Sequence, residues 1–373
     1  MTSLQYRVAW IPCNPELSEN RLFDISAVRD NAIERFVKAN ELICNHGISS
    51  NTIDQDNLKY VDLVIFYGIS SELRWLLNAI KSNPYVKLIN IPIEPPVVSP
   101  LHNAAILNSM PFDRILVWND DLAKKGSPFI KANIGEAMIY AESIPFVSFS
   151  QKFFLVAITS SKLIKHENGI HKERFNAFNF FSMKPEGIDL YGVGWDKISY
   201  SFVKTSYRGM CDKKKEVLQN YKFSICFENA KGYPGLITEK IFDCFAAGTV
   251  PIYYGPPNVQ DYIPKSCFID FQDFRNYEEL YEFLITMNEI EYQSYLDAVK
   301  LFIKSPEYYE FTSKRFAEIV YEQIQSLMHE PKSKRSVTGF KWSLFKVVLQ
   351  HPLFFLKNLK QCRRFLFDLF FSF

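Results

Sequence analysis

The sequence predicts an α/β protein of two successive parallel-sheet, Rossmann-like units, followed by an amphipathic helical tail. Three observations carry that expectation. Strand-like and helix-like segments alternate, the pattern of parallel strands joined by crossover helices. The alternation restarts near residues 145–152, which fits two units better than one large sheet. A chain of 373 residues is long enough for two or three cores. Composition agrees. An apolar share of 47% with 23% charged residues excludes a disordered chain, and 14 Gly with 19 Pro exclude collagen-like and low-complexity classes.

In the first unit, residues 6–11 are an apolar run rich in β-formers. Residues 25–44 have helical periodicity and end near Gly47. Residues 61–67 are strand-like, and 71–82 read as a helix capped by Ser71 and stopped by Asn83-Pro84. Residues 86–93 and 115–118 complete the series. In the second unit, 153–159 (FFLVAIT) is a strand, 172–182 a helix, 188–191 a short strand, 213–220 a helix and 223–227 a strand. A helix at 238–247 carries Thr238 at its cap and Gly248 at its stop, and 250–254 is a strand. Residues 277–328 are helical almost throughout. The expected domains are 1–148, 149–330 and a tail, 331–373.

The overall charge of +2 hides an asymmetry, because residues 331–373 carry nine Lys/Arg and one Asp. The tail balance is +8 and the body is −6. A basic surface confined to a tail is not the footprint of a nucleic-acid binder, so no nucleic-acid partner is expected. Residues 340–373 hold nine Phe, with Lys357, Lys360 and Arg364 on one helical face. That pattern points to an interfacial membrane helix rather than one packed on the body. Deleting 340–373 is then expected to release the protein from membranes and spare turnover. The opening residues carry no signal-peptide pattern, and no CxxC occurs among seven cysteines. Reduced thiols and a cytoplasmic location at the inner face of the membrane are the expectation.

Several chemistries lack support. There is no HExxH, Walker A or GxSxG motif. Asp54-Gln55-Asp56 has the DxD form but precedes a strand in a polar stretch, so it reads as a solvated loop. Gly192-Val193-Gly194 follows a strand without the third glycine of a dinucleotide fingerprint.

The dense region is 221–270. A buried strand ends in Glu228-Asn229, a loop with Gly232, Pro234 and Gly235 follows, and Thr238 opens a helix with Glu239-Lys240. A strand's carboxyl edge, a loop and a helix N-terminus together suit an anion. Lys240 opposes the helix dipole and is costly there without an anionic partner, which a diphosphate would supply. Glu239 could accept hydrogen bonds from a ribose diol. On the residues alone, a capped helix with a solvated Glu and Lys is an equal reading.

This segment resembles the C-terminal signature of the α-1,3-fucosyltransferases, glycosyltransferase family 10. YKFSICFEN, the Gly/Tyr loop, TEKI, AGTVP and GPPN follow one another as in that family. Upstream, Ile188-Asp189-Leu190-Tyr191-Gly192 and Ser206-Tyr207-Arg208-Gly209 match family features. In the first half Glu94-Pro95-Pro96, Phe112-Asp113-Arg114-Ile115 and Trp118-Asn119-Asp120-Asp121 resemble its acceptor-side domain. The chain departs from the common pattern at Leu236, where many members carry an aromatic residue.

The resemblance implies a GT-B fold, two Rossmann-like domains facing a cleft, with GDP-fucose held mainly by the second. It implies inverting transfer of fucose to a GlcNAc or Glc hydroxyl of a surface glycan such as lipopolysaccharide. Asn229, Glu239 and Lys240 would contact ribose and pyrophosphate, Tyr233 would flank the nucleotide, and Arg174 would bind phosphate. Glu94 would be the catalytic base, with Asp120 and Asp121 as fallbacks and Trp118 in the core. With cations and a helix start to hold charge on departing GDP, no metal is strictly required. Two alternatives remain: a GT-B transferase using another GDP-sugar, and a catalytically silent glycan- or membrane-binding protein on the same fold.

Overall fold

The computed structural model describes residues 6–68, 73–135 and 147–371. The chain divides into two units, Met1–Ala132 with Ser313–Phe373, and Asn133–Thr312. Each is built on one six-stranded, all-parallel sheet.

The first unit's strands are β1 (Arg7–Ile11), β2 (Ser49–Thr52), β3 (Leu63–Phe66), β4 (Lys87–Asn90), β5 (Arg114–Val117) and β6 (Phe129–Lys131). Their order is β2-β1-β3-β4-β5-β6. β3 and β4 are buried at every residue, as strands covered on both faces must be. The helix Glu34–Asn45 packs Phe36, Ala39 and Ile43 against one face of the sheet.

The second unit's strands are β7 (Phe153–Ile158), β8 (Asp189–Tyr191), β9 (Tyr207–Gly209), β10 (Tyr221–Phe227), β11 (Val250–Tyr254) and β12 (Ile269–Asp270). Their order, β9-β8-β7-β10-β11-β12, runs outward from β7 and then returns to the centre at β10. The strand order therefore reverses between β7 and β10, the place where open α/β sheets bind ligands beyond their carboxyl ends. Aromatic residues fill both faces: Phe178, Phe181, Trp195 and Phe223 in one cluster, Phe242, Phe245, Phe302 and Phe311 in the other.

Four differences from the sequence expectation have physical causes. Residues 25–31 form 3-10 turns rather than helix, because Asp24 accepts from Ser26 N and Asp30 sits at φ 56°. The strands β2, β6, β9 and β12 are too short, and in part too polar, to show alternation. The second unit ends at Thr312, not at 330: the helix Ser313–His329 lays Phe316, Val320 and Ile324 into the first unit's core. The second unit begins at Asn133 rather than near 145–152, and the expected cap at Ser71 lies outside the described residues.

The tail is the largest correction. It folds as helices Val337–Gln350, Pro352–Lys357 and Leu359–Phe371. Phe340, Leu344, Val347, Phe355, Phe365 and Leu369 join Leu73, Leu76 and Phe112 in one core cluster of the first unit. The polar segment before it is pinned by Lys332–Asp62 at 3.2 Å and Arg335–Asp113 at 2.7 Å. The opposite charges of tail and body thus bring the tail onto the body. Trp342, Leu353, Leu356, Phe367 and Phe371 remain exposed. Among the described residues, no helix is long and apolar enough to cross a membrane.

Candidate active site

The second unit concentrates polar side chains at its strand-order reversal. The helix His171–Phe181 buries His171, Arg174, Ala177, Phe178 and Phe181, one face at helical spacing. Arg174 is therefore carried into the protein, 5% exposed, and its guanidinium reaches the ends of both central strands. Its Nη1 donates to Thr159 Oγ1 just beyond β7 (3.4 Å). Its Nη2 donates to Phe227 O at the end of β10 (2.5 Å) and to Asn229 Oδ1 (3.0 Å). Burial lowers its pKa to about 10, with the Glu228 charge opposing, so it remains a cation at neutral pH.

Gly192 locks the neighbouring edge. Its φ is +132°, and a Cβ there would lie 2.1 Å from Thr159 O, so only glycine lets the chain after β8 approach the chain after β7. Ser161 N donates to Val193 O across the same junction (3.0 Å).

The helix Glu239–Ala247 begins on the far side of β10. Thr238 precedes it in extended conformation but makes no side-chain cap. Its hydroxyl instead meets both carboxylate oxygens of Glu228, at 2.9 and 2.8 Å, and its N–H donates to Glu228 Oε1 at 2.9 Å. Tyr253 O–H donates to the same oxygen at 3.0 Å. Lys240 Nζ donates to Glu228 Oε2 (3.2 Å) and Thr238 Oγ1 (3.0 Å). Burial pulls the Lys240 ammonium's pKa down, but the Glu228 and Glu239 charges outweigh it and the net shift is upward. The sequence-level reason for an anion beside Lys240 is thus met first by the protein's own Glu228. Glu239, its side chain 40% exposed, lies 3.7 Å from both Lys214 and Lys240.

Arg174, Asn229, Glu239 and Lys240 are therefore brought together around the end of β10. Tyr233 stands in the following loop, half-buried, with its hydroxyl 3.5 Å from Asn168 Nδ2. Asn258 Oδ1 accepts from Gly235 N and holds that loop (3.0 Å). Fixed cations beside a helix N-terminus make a site suited to a phosphate group, with an adjacent carboxylate suited to a diol.

Glu94 belongs to the first unit, exposed on the loop after β4. Two buried rings fix its backbone. Trp118 Nε1 donates to Ile93 O at 2.8 Å, and His102 Nδ1 donates to Glu94 O at 2.7 Å. Burial lowers the His102 pKa to about 4, so the ring is neutral. Trp118 is in the core, as expected. Asp120 is held by Lys131 Nζ at 2.6 Å, which spends its carboxylate on the fold. Asp54 is half-buried in the 3-10 turn Ile53–Gln55, its Oδ2 accepting from Glu19 N at 2.9 Å. Among the described residues, no three His, Cys, Asp or Glu side chains form a metal-like cluster.

Sequence reasoning passed over Glu228, His102 and Thr159. For Glu228 a signal existed: a carboxylate ends a strand whose preceding residues are almost all buried, a position that needs dedicated partners.

The sequence matches the family model of glycosyltransferase family 10 (fucosyltransferase), C-terminal part, over residues 150–340, just over half of the chain. It is 47% identical over 72 residues to the Helicobacter pylori α-(1,3)-fucosyltransferase FucT, covering 19% of this chain and 15% of that protein. It is 35% identical over 98 residues to mouse α-(1,3)-fucosyltransferase 7, covering 25% of each. The chain thus matches about a quarter or less of these relatives' length. Among solved structures, an α1,3-fucosyltransferase with GDP matches at a TM-score of 0.52 and 16% identity, covering 88% of this chain and 92% of that one. The same enzyme type with GDP-fucose matches at 0.51, and an Anabaena protein in complex with UDP-glucose at 0.53 and 10% identity. The two parallel-sheet units are those of the GT-B fold, and the chain belongs to glycosyltransferase family 10, the fucosyltransferases.

Proposed function

We propose that this chain transfers L-fucose from GDP-fucose, with inversion, to a GlcNAc or Glc hydroxyl of a surface glycan such as lipopolysaccharide, forming an α-1,3 linkage. The observation that carries the reading is the pair of fixed cations at the carboxyl end of β10, Arg174 and Lys240, beside the opening turn of the helix Glu239–Ala247. In this reading they hold the diphosphate, Glu239 and Asn229 hold the ribose, and Tyr233 flanks the base. Glu94 takes the proton from the attacking hydroxyl. The new bond forms at the fucose anomeric carbon as its bond to the phosphate oxygen breaks, and GDP leaves with the electron pair. Charge grows on that oxygen, and Arg174, Lys240 and the helix amides stabilise it without rearranging. This division of labour gives no step to a metal ion.

The exposed apolar side chains of the tail, interleaved with lysine and arginine, support a peripheral seat on the cytoplasmic face of the membrane. The fold uses the other side of the same helices.

The donor assignment is tested by calorimetric titration of GDP into wild type and Lys240→Met. The reading expects binding that weakens at least about tenfold in the variant. Equal affinity in both would remove the donor site from this helix. Linkage is read by nuclear magnetic resonance of the product formed on N-acetyllactosamine, where fucose on any position but O3 of GlcNAc would contradict the α-1,3 assignment.

A further inference from the structure

Glu228 is fully buried at the end of β10, yet its carboxylate bonds the start of the next helix and Tyr253 on β11. A buried carboxylate is a poor way to hold a strand end: well-packed apolar side chains usually do as well or better. Its use is better sought in what it holds. Lys240 bonds Glu228 Oε2 and also Thr238 Oγ1, and Thr238 itself bonds both Glu228 oxygens. The ammonium is thus tethered at two points that share one anchor. The residues flanking Glu228 hold the other cation, since Phe227 O and Asn229 Oδ1 both accept from Arg174. Three consecutive residues, Phe227, Glu228 and Asn229, therefore fix both cations.

We infer that Glu228 is a positioning residue of the donor site: it does not touch the nucleotide sugar, but aims Lys240 at the diphosphate. The inference rests on the proposed donor reading. The geometry also explains the uncapped helix. Engaging the Thr238 hydroxyl with Glu228 withdraws it from the first-turn amides, leaving their dipole to a ligand.

The charged and titratable groups facing Lys240 come from four elements. Cys226 comes from β10, Glu228 follows directly after that strand, and Glu239 comes from its own helix. Lys214 comes from the helix Lys214–Leu218, and Arg174 and His171 come from the helix His171–Phe181. Remove the Glu228 charge, and Lys240 stays half-buried with Arg174 and Lys214 repelling it and only half-exposed Glu239 in support. Its proton then leaves at lower pH.

The test is GDP affinity of the full chain from pH 6.5 to 8.5 for wild type, Glu228→Gln, Glu228→Asp and Lys240→Met. Wild type should be nearly flat. Glu228→Gln should bind GDP about tenfold or more weakly, and the loss should deepen as pH rises, because Lys240 is no longer aimed and its protonated form is less favoured. Glu228→Asp keeps the charge on a shorter arm, so its affinity should drop while its profile stays flat. If Glu228→Gln does not fold, Glu228→Asp carries the test, and wild-type affinity in a folded Asp variant overturns the inference. A flat profile at wild-type affinity in folded Glu228→Gln overturns it as well. Wild-type affinity in Lys240→Met would instead show that the donor reading itself has failed.

Discussion

Arg174 makes contacts that a lysine cannot reproduce, because a planar guanidinium reaches Thr159, Phe227 O and Asn229 at once. Arg174→Lys should therefore lower kcat/KM for the donor by roughly 100-fold, about 2.7 kcal/mol of transition-state stabilisation, as read by steady-state kinetics. His102 and His171 supply a second prediction at this scale. Burial holds both pKa values at about 4, aided at His171 by the charges of Arg174 and Lys240. The folded chain thus takes up these protons at lower pH than the unfolded chain. Stability is full above about pH 6.5 and is lost as pH falls toward 4, by up to roughly 3 kcal/mol per ring. Urea titrations should show wild type losing more stability between pH 7 and 5 than His102→Asn. At this scale the sequence was informative where chemistry is contiguous. Asn229, Glu239 and Lys240 stand in one short motif. Glu228 sits in the same motif, but its role depends on Tyr253 and Lys240 closing around it, which spacing alone does not reveal.

At the scale of elements, the junction between β7 and β8 decides how rigidly the site is held. Gly192→Ala would drive a Cβ into Thr159 O at a φ that L-residues avoid. It should cost about 2 kcal/mol or more and weaken GDP binding through Thr159 and Arg174. Thermal melting and GDP titration check both effects. Buried strands were legible where their residues are apolar throughout, as in β3, or mostly apolar, as in β10. β2 (SSNT) and β12 (two residues) were not, because hydrogen bonding to a neighbour rather than side-chain pattern makes them strands. The 3-10 turns at 25–31 show local Asx bonding prevailing over apolar periodicity.

At the scale of the whole molecule, the tail serves the fold on one side and leaves the other exposed. Each buried Phe or Leu side chain contributes about 1.5–3 kcal/mol, so removing residues 340–373 would forfeit stability comparable to that of a whole domain. Deletion should therefore unfold or aggregate the first unit, rather than yield the soluble active enzyme that composition alone suggests. Replacing exposed Leu353, Leu356 and Phe371 by Ser should instead release the protein from anionic vesicles in a flotation assay, with the melting temperature kept. Unchanged flotation would remove the membrane seat. The tail's place in the core was hidden because nine Phe with basic residues fit a bilayer interface and a core equally well. The central claim is fucosyl transfer itself. It is tested most directly by GDP release from GDP-fucose with N-acetyllactosamine or lactose, with and without EDTA, for wild type and Glu94→Ala. The account predicts acceptor-dependent release that survives EDTA and falls by orders of magnitude in the variant. Release that ignores the acceptor, stops with EDTA, or persists in Glu94→Ala would contradict it.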